Sequence, residues 1–299
     1  MRLEKNKKNE IKNTVEERNR EISQNIDGVE KNFLLNQEKT EVVSETSMET
    51  SDMKTDGIKY LFGFEKKEVQ ETDREIKERL QECGVKDIQL EGVREKYQEM
   101  IASSVEQMCE SYPELKGYIN SIRVADLESR TFACAGPTMT SEGFQTQILV
   151  NREAFENKGL ESRIERYELP NWKGESWFAG EGYDAILKHE MAHLLHLQMI
   201  AKEEGLALGE RNRIKFWEVQ KRYDRNAIVT KICYETMQEQ HIEPRELAAA
   251  ISVYGAHDMG ECFAEAMSEY ETRKHPRPFA VAVHEKYERR KQEYDNTTT

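Results

Sequence analysis

Polar residues dominate the first fifth of the chain, and apolar residues there show only a faint helical spacing. Residues 1–64 consist mainly of Glu, Lys, Asn, Ser and Thr, with few aromatic side chains. Such a segment cannot bury enough apolar surface to offset the conformational entropy lost on ordering. We therefore predict a disordered or frayed-helix N-terminal arm and linker over 1–64, followed by one folded domain over 65–299.

Helical spacing opens the predicted domain and then gives way to strand spacing. Apolar residues recur at three and four positions through 68–112, which predicts two helices, over 68–82 and 91–111. Alternation with a period of two follows, and it predicts a small three-stranded sheet within 118–150. The three predicted strands are 118–124, 131–134 and 146–150.

The rest of the domain returns to helical spacing. A Gly-rich loop with two tryptophans, 170–184, precedes a long helix predicted over 183–203. A helical part follows over 209–293, with a helix beginning at Pro244 and others over 259–273 and 278–293. The expected fold class is α+β and mostly helical.

Charge and cysteine content narrow the classes of function. The net charge is −13 and the mean hydropathy is −0.84, so we expect binding neither to nucleic acid nor to anionic membranes. The five cysteines form no CxxC pair, and the N-terminus lacks the apolar core of a secretory signal. We expect a cytoplasmic protein, with secretion by a non-classical route left open.

The stretch KHEMAHLLH, 188–196, carries the clearest chemistry. His189 and His193 are four residues apart, so a helix places both imidazoles on one face, where they can bind one metal ion. Glu190 lies next to the first of them and can take a proton from a metal-activated water. An ordinary buried helix rich in histidine is the alternative interpretation.

A third protein ligand has two candidates. His196 lies one turn beyond His193, and a straight helix presents three ligands to one ion poorly, so we expect it to line the cleft or pack in the core. Glu261 lies on the next predicted helix, which could bring it to face the two histidines. The alternative is that Glu261 only favours its helix dipole and forms a capping box with Asp258.

Three short motifs resemble the lethal-factor-like zinc metallopeptidases, the family of anthrax lethal factor and the Pro-Pro endopeptidases. They are HExxH at 189–193, SxYG at 252–255 and ExFAEA at 261–266. The resemblance covers about 180–275 and implies a zincin-like fold with an active-site helix and a following helical subdomain. A longer stretch between His193 and Glu261, with added helical sequence at 209–240, departs from the family, as does His257.

The resemblance implies a role for each matching residue. One Zn²⁺ ion would bind the ligands His189, His193 and Glu261. Glu190 would be the general base, Tyr254 would steady the oxyanion or protonate the leaving group, and Glu265 would orient a ligand histidine. The implied activity is that of an endopeptidase, acting on a protein or peptide substrate.

Other features of the sequence concern the substrate cleft and an alternative, non-catalytic function. Trp172 and Trp177 could line the cleft or cap the core. His257 could line the cleft, act as an alternative metal ligand, or be an exposed residue at the start of a helix. The run TQILVN, 146–151, is our hypothesis for an edge strand that pairs with an extended substrate. The N-terminal arm could dock a partner. The alternative function is a non-catalytic zinc-binding or scaffold domain of a phage or mobile-element structural protein.

Overall fold

The computed structural model describes residues 73–128, 130–156 and 160–297. The predicted arm and linker over 1–64, and the first residues of the helix expected over 68–82, lie outside these ranges. Of the helices over 73–297, none combines the length and apolar character that crossing a lipid bilayer requires.

The described chain is α+β and mostly helical, as predicted. Its helices are α1 Asp73–Glu82, α2 Glu95–Ser111, α3 Arg152–Glu156, α4 Leu160–Glu168, α5 Ala185–Glu203, α6 Arg213–Tyr223, α7 Val229–Glu239, α8 Leu247–Ala250, α9 Met259–Thr272 and α10 Pro278–Thr297. Its strands are β1 Asp87–Gln89, β2 Ser121–Ala125, β3 Ala133–Thr140 and β4 Gly143–Asn151, and 3₁₀ turns occur at Pro113–Leu115 and Pro244–Glu246.

The sheet has four strands in the described residues, and not the three expected. Their order is β1-β2-β4-β3, with β1, β2 and β4 parallel and β3 antiparallel to β4. The prediction missed β1 because DIQ is only three residues long, which is too short for an alternating pattern to stand out. It also ended β3 too early, because Gly136 and Pro137 in ACAGPTMT read as a break in a strand.

The hypothesis that 146–151 is an edge strand is wrong. These residues belong to β4, which pairs with β2 on one side and with β3 on the other. The free edge on this side of the sheet belongs to β3. Pro137 is tolerated there, because an edge strand does not need every backbone N–H for the ladder.

Helix α5 is the most deeply buried element and lies at the centre of the fold. Its sequence AILKHEMAHLLHLQMIAKE is apolar nearly all round, and most of its residues are buried. It packs against β3 of the sheet and against α2, α6 and α9. A helix surrounded in this way has to bury its polar side chains as well, so its histidines and glutamate need partners inside the protein.

The helical part after α5 differs from the prediction in its breaks. The helical sequence expected over 209–240 forms two helices, α6 and α7, with a turn at Asp224–Ile228 between them, in which Asn226 and Ile228 have positive φ. The helix expected from Pro244 is a 3₁₀ turn followed by the short α8. Helices α9 and α10 match their predicted starts, and α10 continues to Thr297.

Helix α9 is joined to α10 through a buried charge. Glu269 is 0% exposed. Its Oε1 accepts from the backbone N–H of Arg277 at 2.8 Å and from Arg277 Nε at 2.9 Å. Its Oε2 accepts from Arg277 Nη2 at 2.7 Å and from Nε at 3.0 Å. This bidentate geometry is the strong form of an Arg–carboxylate pair. The loop between the two helices is therefore fixed by an ion pair and not only by apolar packing.

We expect Arg277→Met to lower the free energy of unfolding by about 3–5 kcal/mol, because it leaves the buried Glu269 carboxylate unpaired. Urea unfolding measures the change. The matched control is Arg245→Met, at an exposed arginine, which we expect to stay within about 0.5 kcal/mol of the parent chain. Equal effects of the two substitutions would contradict this account of the junction.

Candidate metal centre

Two histidines of α5 present their ring nitrogens to the same point. His189 and His193 are one helical turn apart, and their Nε2 atoms lie 3.1 Å from each other. Two nitrogens at this distance do not both need protons, since one Nε2–H can donate to the other nitrogen or a cation can accept both lone pairs. As predicted, the four-residue spacing in HExxH places both imidazoles on one face of the helix.

Glu261 of α9 completes the group from the facing helix. Its Oε2 lies 3.0 Å from His189 Nε2 and 3.4 Å from His193 Nε2. Asp258 is the N-cap of α9, and its Oδ1 accepts from the backbone N–H groups of Gly260 at 2.7 Å and Glu261 at 3.1 Å. The cap that the sequence indicated therefore exists together with the contact to the histidines, so Glu261 does more than favour a helix dipole.

The three side chains fit a metal ion. Two imidazole nitrogens and one carboxylate oxygen form a triangle with sides of 3.0, 3.1 and 3.4 Å. Ligand atoms of a tetrahedral ion bound at about 2.0–2.1 Å are roughly 3.3 Å apart, close to these separations. Among the described residues, this trio is the group of His, Cys, Asp and Glu side chains that could hold an ion.

Glu265, one turn after Glu261, contacts the other nitrogen of His189. Its Oε1 lies 2.8 Å from His189 Nδ1, as an ion-pair contact that is not aligned well enough for a directed hydrogen bond. Its Oε2 accepts from the Ser252 hydroxyl at 2.9 Å and from the Ala179 backbone N–H. A carboxylate held in this way orients the ring so that Nε2 points to the shared site.

Burial and charge shift the pKa values of the ligand residues in opposite directions. Burial alone would lower the pKa of His189, but contacts with Glu261 and Glu265 outweigh it and raise this pKa well above 6.5. Burial would raise the pKa of Glu261, and the contacts with His189 and His193 outweigh that and lower it. In the absence of a metal, His189 carries a proton that an ion would have to displace.

Glu190 lies beside this group on the side of the sheet. It is only 8% exposed, and the Ala135 backbone N–H of β3 is directed at its carboxylate. Burial raises the pKa of Glu190, although the neighbouring His189 and His193 oppose the shift. A carboxylate with a raised pKa is a stronger base than an exposed one, which suits proton transfer near neutral pH.

Tyr254 lies against the metal group from the SxYG segment. Its ring is 5.6 Å from the His189 ring, and its hydroxyl interacts with the Glu261 carboxylate. Trp177 stacks on the tyrosine ring at 6.3 Å, and the Tyr254 backbone N–H donates to the Trp177 carbonyl at 3.0 Å. Burial raises the pKa of Tyr254, so the hydroxyl keeps its proton and remains a hydrogen-bond donor.

The other residues expected at the cleft have different locations. His196 is 1% exposed and lies in the core, where its Nε2–H donates to the Ala227 carbonyl at 2.7 Å. Burial lowers the pKa of His196 to about 3, so this ring is neutral. His257 is exposed and near Tyr254 and Trp177, with ring distances of 5.8 and 6.3 Å. Trp172 is 89% exposed, so it does not cap the core.

Several neighbours of the site were not identified from the sequence. Tyr223, at the end of α6, lies 5.1 Å from the His196 ring, and the charges of Glu190 and Glu261 contribute to its raised pKa after burial. Ser252, the first residue of the SxYG motif, was not predicted to donate to Glu265. The backbone groups of Ala135 and Ala179 have no signal in a sequence, because any residue carries the same N–H.

Comparison with protein-family models, with curated proteins and with solved structures finds no match to this chain. The interpretation of the site therefore depends on the geometry of the described residues alone.

We expect the chain to bind one Zn²⁺ ion and His193→Ala to weaken that binding by more than about 100-fold. Loss of a residue that only supports a ligand already costs about 10–100-fold, and His193 is itself a ligand in this assignment. Metal content after dialysis and competition with a chromophoric chelator measure the effect. His275→Ala, at an exposed histidine, is the matched control and should bind like the parent. Equal affinities would contradict the assignment.

We also expect zinc binding at pH 7 to release about one proton from His189. The pKa is raised in the folded metal-free chain, so the charged pairing stabilises that chain below the unfolded pKa of about 6.5 and is lost as pH rises through the folded value. Calorimetry in buffers of different ionisation enthalpy counts the proton. Glu265→Gln removes one carboxylate that raises this pKa and should reduce the count. No net release in the parent chain would contradict the charge assignment.

Proposed function

We propose that this protein is a zinc-dependent endopeptidase. The observation that carries the proposal is the convergence of His189, His193 and Glu261, with Glu190 beside them and the Tyr254 hydroxyl at Glu261. Catalytic zinc sites use three protein ligands and leave one position for water or substrate, and no fourth His, Cys, Asp or Glu joins the trio in the described residues.

The chain's own residues account for the steps of peptide hydrolysis. When bound, zinc would supply Lewis-acid polarisation of the scissile carbonyl and lower the pKa of a neighbouring water to about 7. Glu190 takes a proton from the attacking water and passes it to the leaving amine nitrogen as the C–N bond breaks. Tyr254 donates a hydrogen bond to the carbonyl oxygen as this oxygen gains negative charge.

An extended peptide is the substrate form that the surrounding elements favour. Within the part of the chain that the structure describes, the edge strand β3 pairs with β4 alone, and it carries Ala135 next to Glu190. A free strand edge offers backbone groups to which an extended peptide can add as a further strand. The substrate hypothesis attached to 146–151 therefore moves to β3, which is one strand nearer to the site.

The resemblance to lethal-factor-like zinc metallopeptidases supports the same proposal. HExxH is distant in the chain from SxYG and ExFAEA, yet residues of all three motifs meet around one point, and Glu265 contacts the ligand histidine as the resemblance implies. We propose a zincin-like domain on this basis. A non-catalytic zinc-binding or scaffold domain remains the competing function, and Glu190 and Tyr254 would have no role in it.

We expect Glu190→Gln to keep zinc affinity within a few-fold and to lower peptide cleavage by about 10²–10⁴-fold, because a general base contributes that much. The substrate is a mixture of unstructured peptides, and mass spectrometry identifies new termini. Glu181→Gln, at an exposed glutamate, is the matched control and should cleave like the parent, whereas a buffered chelator should stop cleavage.

Two outcomes would count against the proposal. Cleavage by Glu190→Gln at the parent rate would show that another group is the base. A parent chain that binds zinc tightly but cleaves no peptide in the mixture would favour the non-catalytic alternative.

A further inference from the structure

The turn between α6 and α7 contacts both helices that carry the metal ligands. On one side, the Ala227 carbonyl accepts from His196 Nε2–H of α5 at 2.7 Å. On the other side, the Asn226 side-chain amide donates to Asp258 Oδ1, at the start of α9, over 3.0 Å. Two adjacent residues of one turn are therefore hydrogen-bonded to two helices that approach each other at the metal group.

Asn226 reaches the backbone of Glu261 through a single oxygen atom. Asp258 Oδ1 accepts from Asn226 and also from the backbone N–H groups of Gly260 at 2.7 Å and Glu261 at 3.1 Å. The contact is close, because a Cβ atom placed on Gly260 would lie 2.4 Å from Asn226 Oδ1. The Asn226 amide thus binds the same carboxylate oxygen that caps the first turn of α9.

The turn has an unusual backbone, which fixes the direction of Asn226. Asn226 has φ 52°, in the left-handed region that Asn tolerates. Ile228 has φ 74° and ψ −61°, which is rare for a β-branched residue, and the Val229 N–H donates to the Ala227 carbonyl at 3.0 Å. Such a conformation persists only when its surroundings hold it, and the two bonds to α5 and α9 are part of those surroundings.

Glu261 is the ligand whose location depends on this turn. His189 and His193 share one helix, so their separation follows from helical geometry alone. Glu261 comes from a different helix, and its distance to them depends on how α9 starts relative to α5. A shift in the first turn of α9 would move Glu261 away and leave the two histidines in place.

We propose that Asn226 is a positioning residue that sets the Glu261 carboxylate at the metal site. The inference rests on the proposed function only in requiring that the site binds metal. The helical sequence at 209–240, which departs from the resembled family, would then have a role. It connects α5 with α9 through the contacts His196–Ala227 and Asn226–Asp258.

The main test is the zinc affinity of Asn226→Gly and Asn226→Asp, measured by chelator competition. Gly accepts the positive φ and removes the amide, and Asp places a second carboxylate against Asp258. Each should weaken zinc binding by about 10–100-fold, as expected for a residue that supports a ligand. His241→Gly is the matched control, because His241 is an exposed non-Gly residue with φ 56°, and it should leave the affinity unchanged.

Substitutions at Asp258 test the other end of this contact. Asp258→Asn keeps an oxygen that can accept from Asn226 and from the first turn of α9, and Asn is a good N-cap. We expect this variant to bind zinc within about three-fold of the parent, whereas Asp258→Ala removes that oxygen and should weaken binding at least as much as Asn226→Gly. The visible absorption of the Co²⁺-loaded chain provides a second readout, because its intensity depends on the number and geometry of the ligands, which change if Glu261 leaves the ion: Asn226→Gly should change it and His241→Gly should not.

The outcomes separate this proposal from the one on which it rests. A parent chain that binds no zinc overturns the metal site, and the positioning role with it. Parent and Asn226→Gly chains with equal zinc affinity and equal Co²⁺ spectra overturn the positioning role alone. Thermal unfolding of the metal-free chains checks for a merely structural effect: a large loss of stability with unchanged affinity also overturns it.

Discussion

The contact of α5 with α9 buries charged groups, and much of the structure serves to pair them. His189 is in contact with a carboxylate at each ring nitrogen, Glu261 at 3.0 Å and Glu265 at 2.8 Å. An isolated buried charge would cost several kcal/mol, so such a group persists only where partners surround it. The two helices are also joined by a neutral hydrogen bond, in which the Ser268 hydroxyl donates to the Ala185 carbonyl at 2.8 Å.

The pairing extends outward from the crossing and determines the surrounding loops. Glu265 accepts from Ser252 and Ala179, and Ser252 Oγ in turn accepts the Gly255 N–H at 2.8 Å. These bonds fix the SxYG segment beside α9 and so place the Tyr254 ring against His189. A polar network of this kind is stabilising when every member has a partner. The same bonds that satisfy buried groups therefore assemble the site.

The spacing of apolar residues follows from helix geometry, and it predicted α1, α2, α5, α9 and α10. The shorter helices α3 and α4 were not predicted. Ile76, Tyr97, Ile101 and Val105 were predicted from that spacing and all are fully buried. The pair His189 and His193 likewise needed only the four-residue repeat. Strand order is a property of distant residues, so the sequence could not show that β4 lies inside the sheet and β3 at its edge. The role of Ala135 depends on that order, which is why it was missed.

The turn at Asp224–Ile228 was also beyond prediction, and for a different reason. Local preference argues against a positive φ at Ile228, so only contacts made elsewhere can select it. Those contacts go to α5 and α9. Helix α7 adds another at the same place, since Cys233 Sγ lies 3.7 Å from the Met259 carbonyl in the first turn of α9. The turn with this unpredictable backbone is thus the one that connects the two helices of the candidate metal centre, because the geometry of a site built from separate helices has to be set by tertiary contacts.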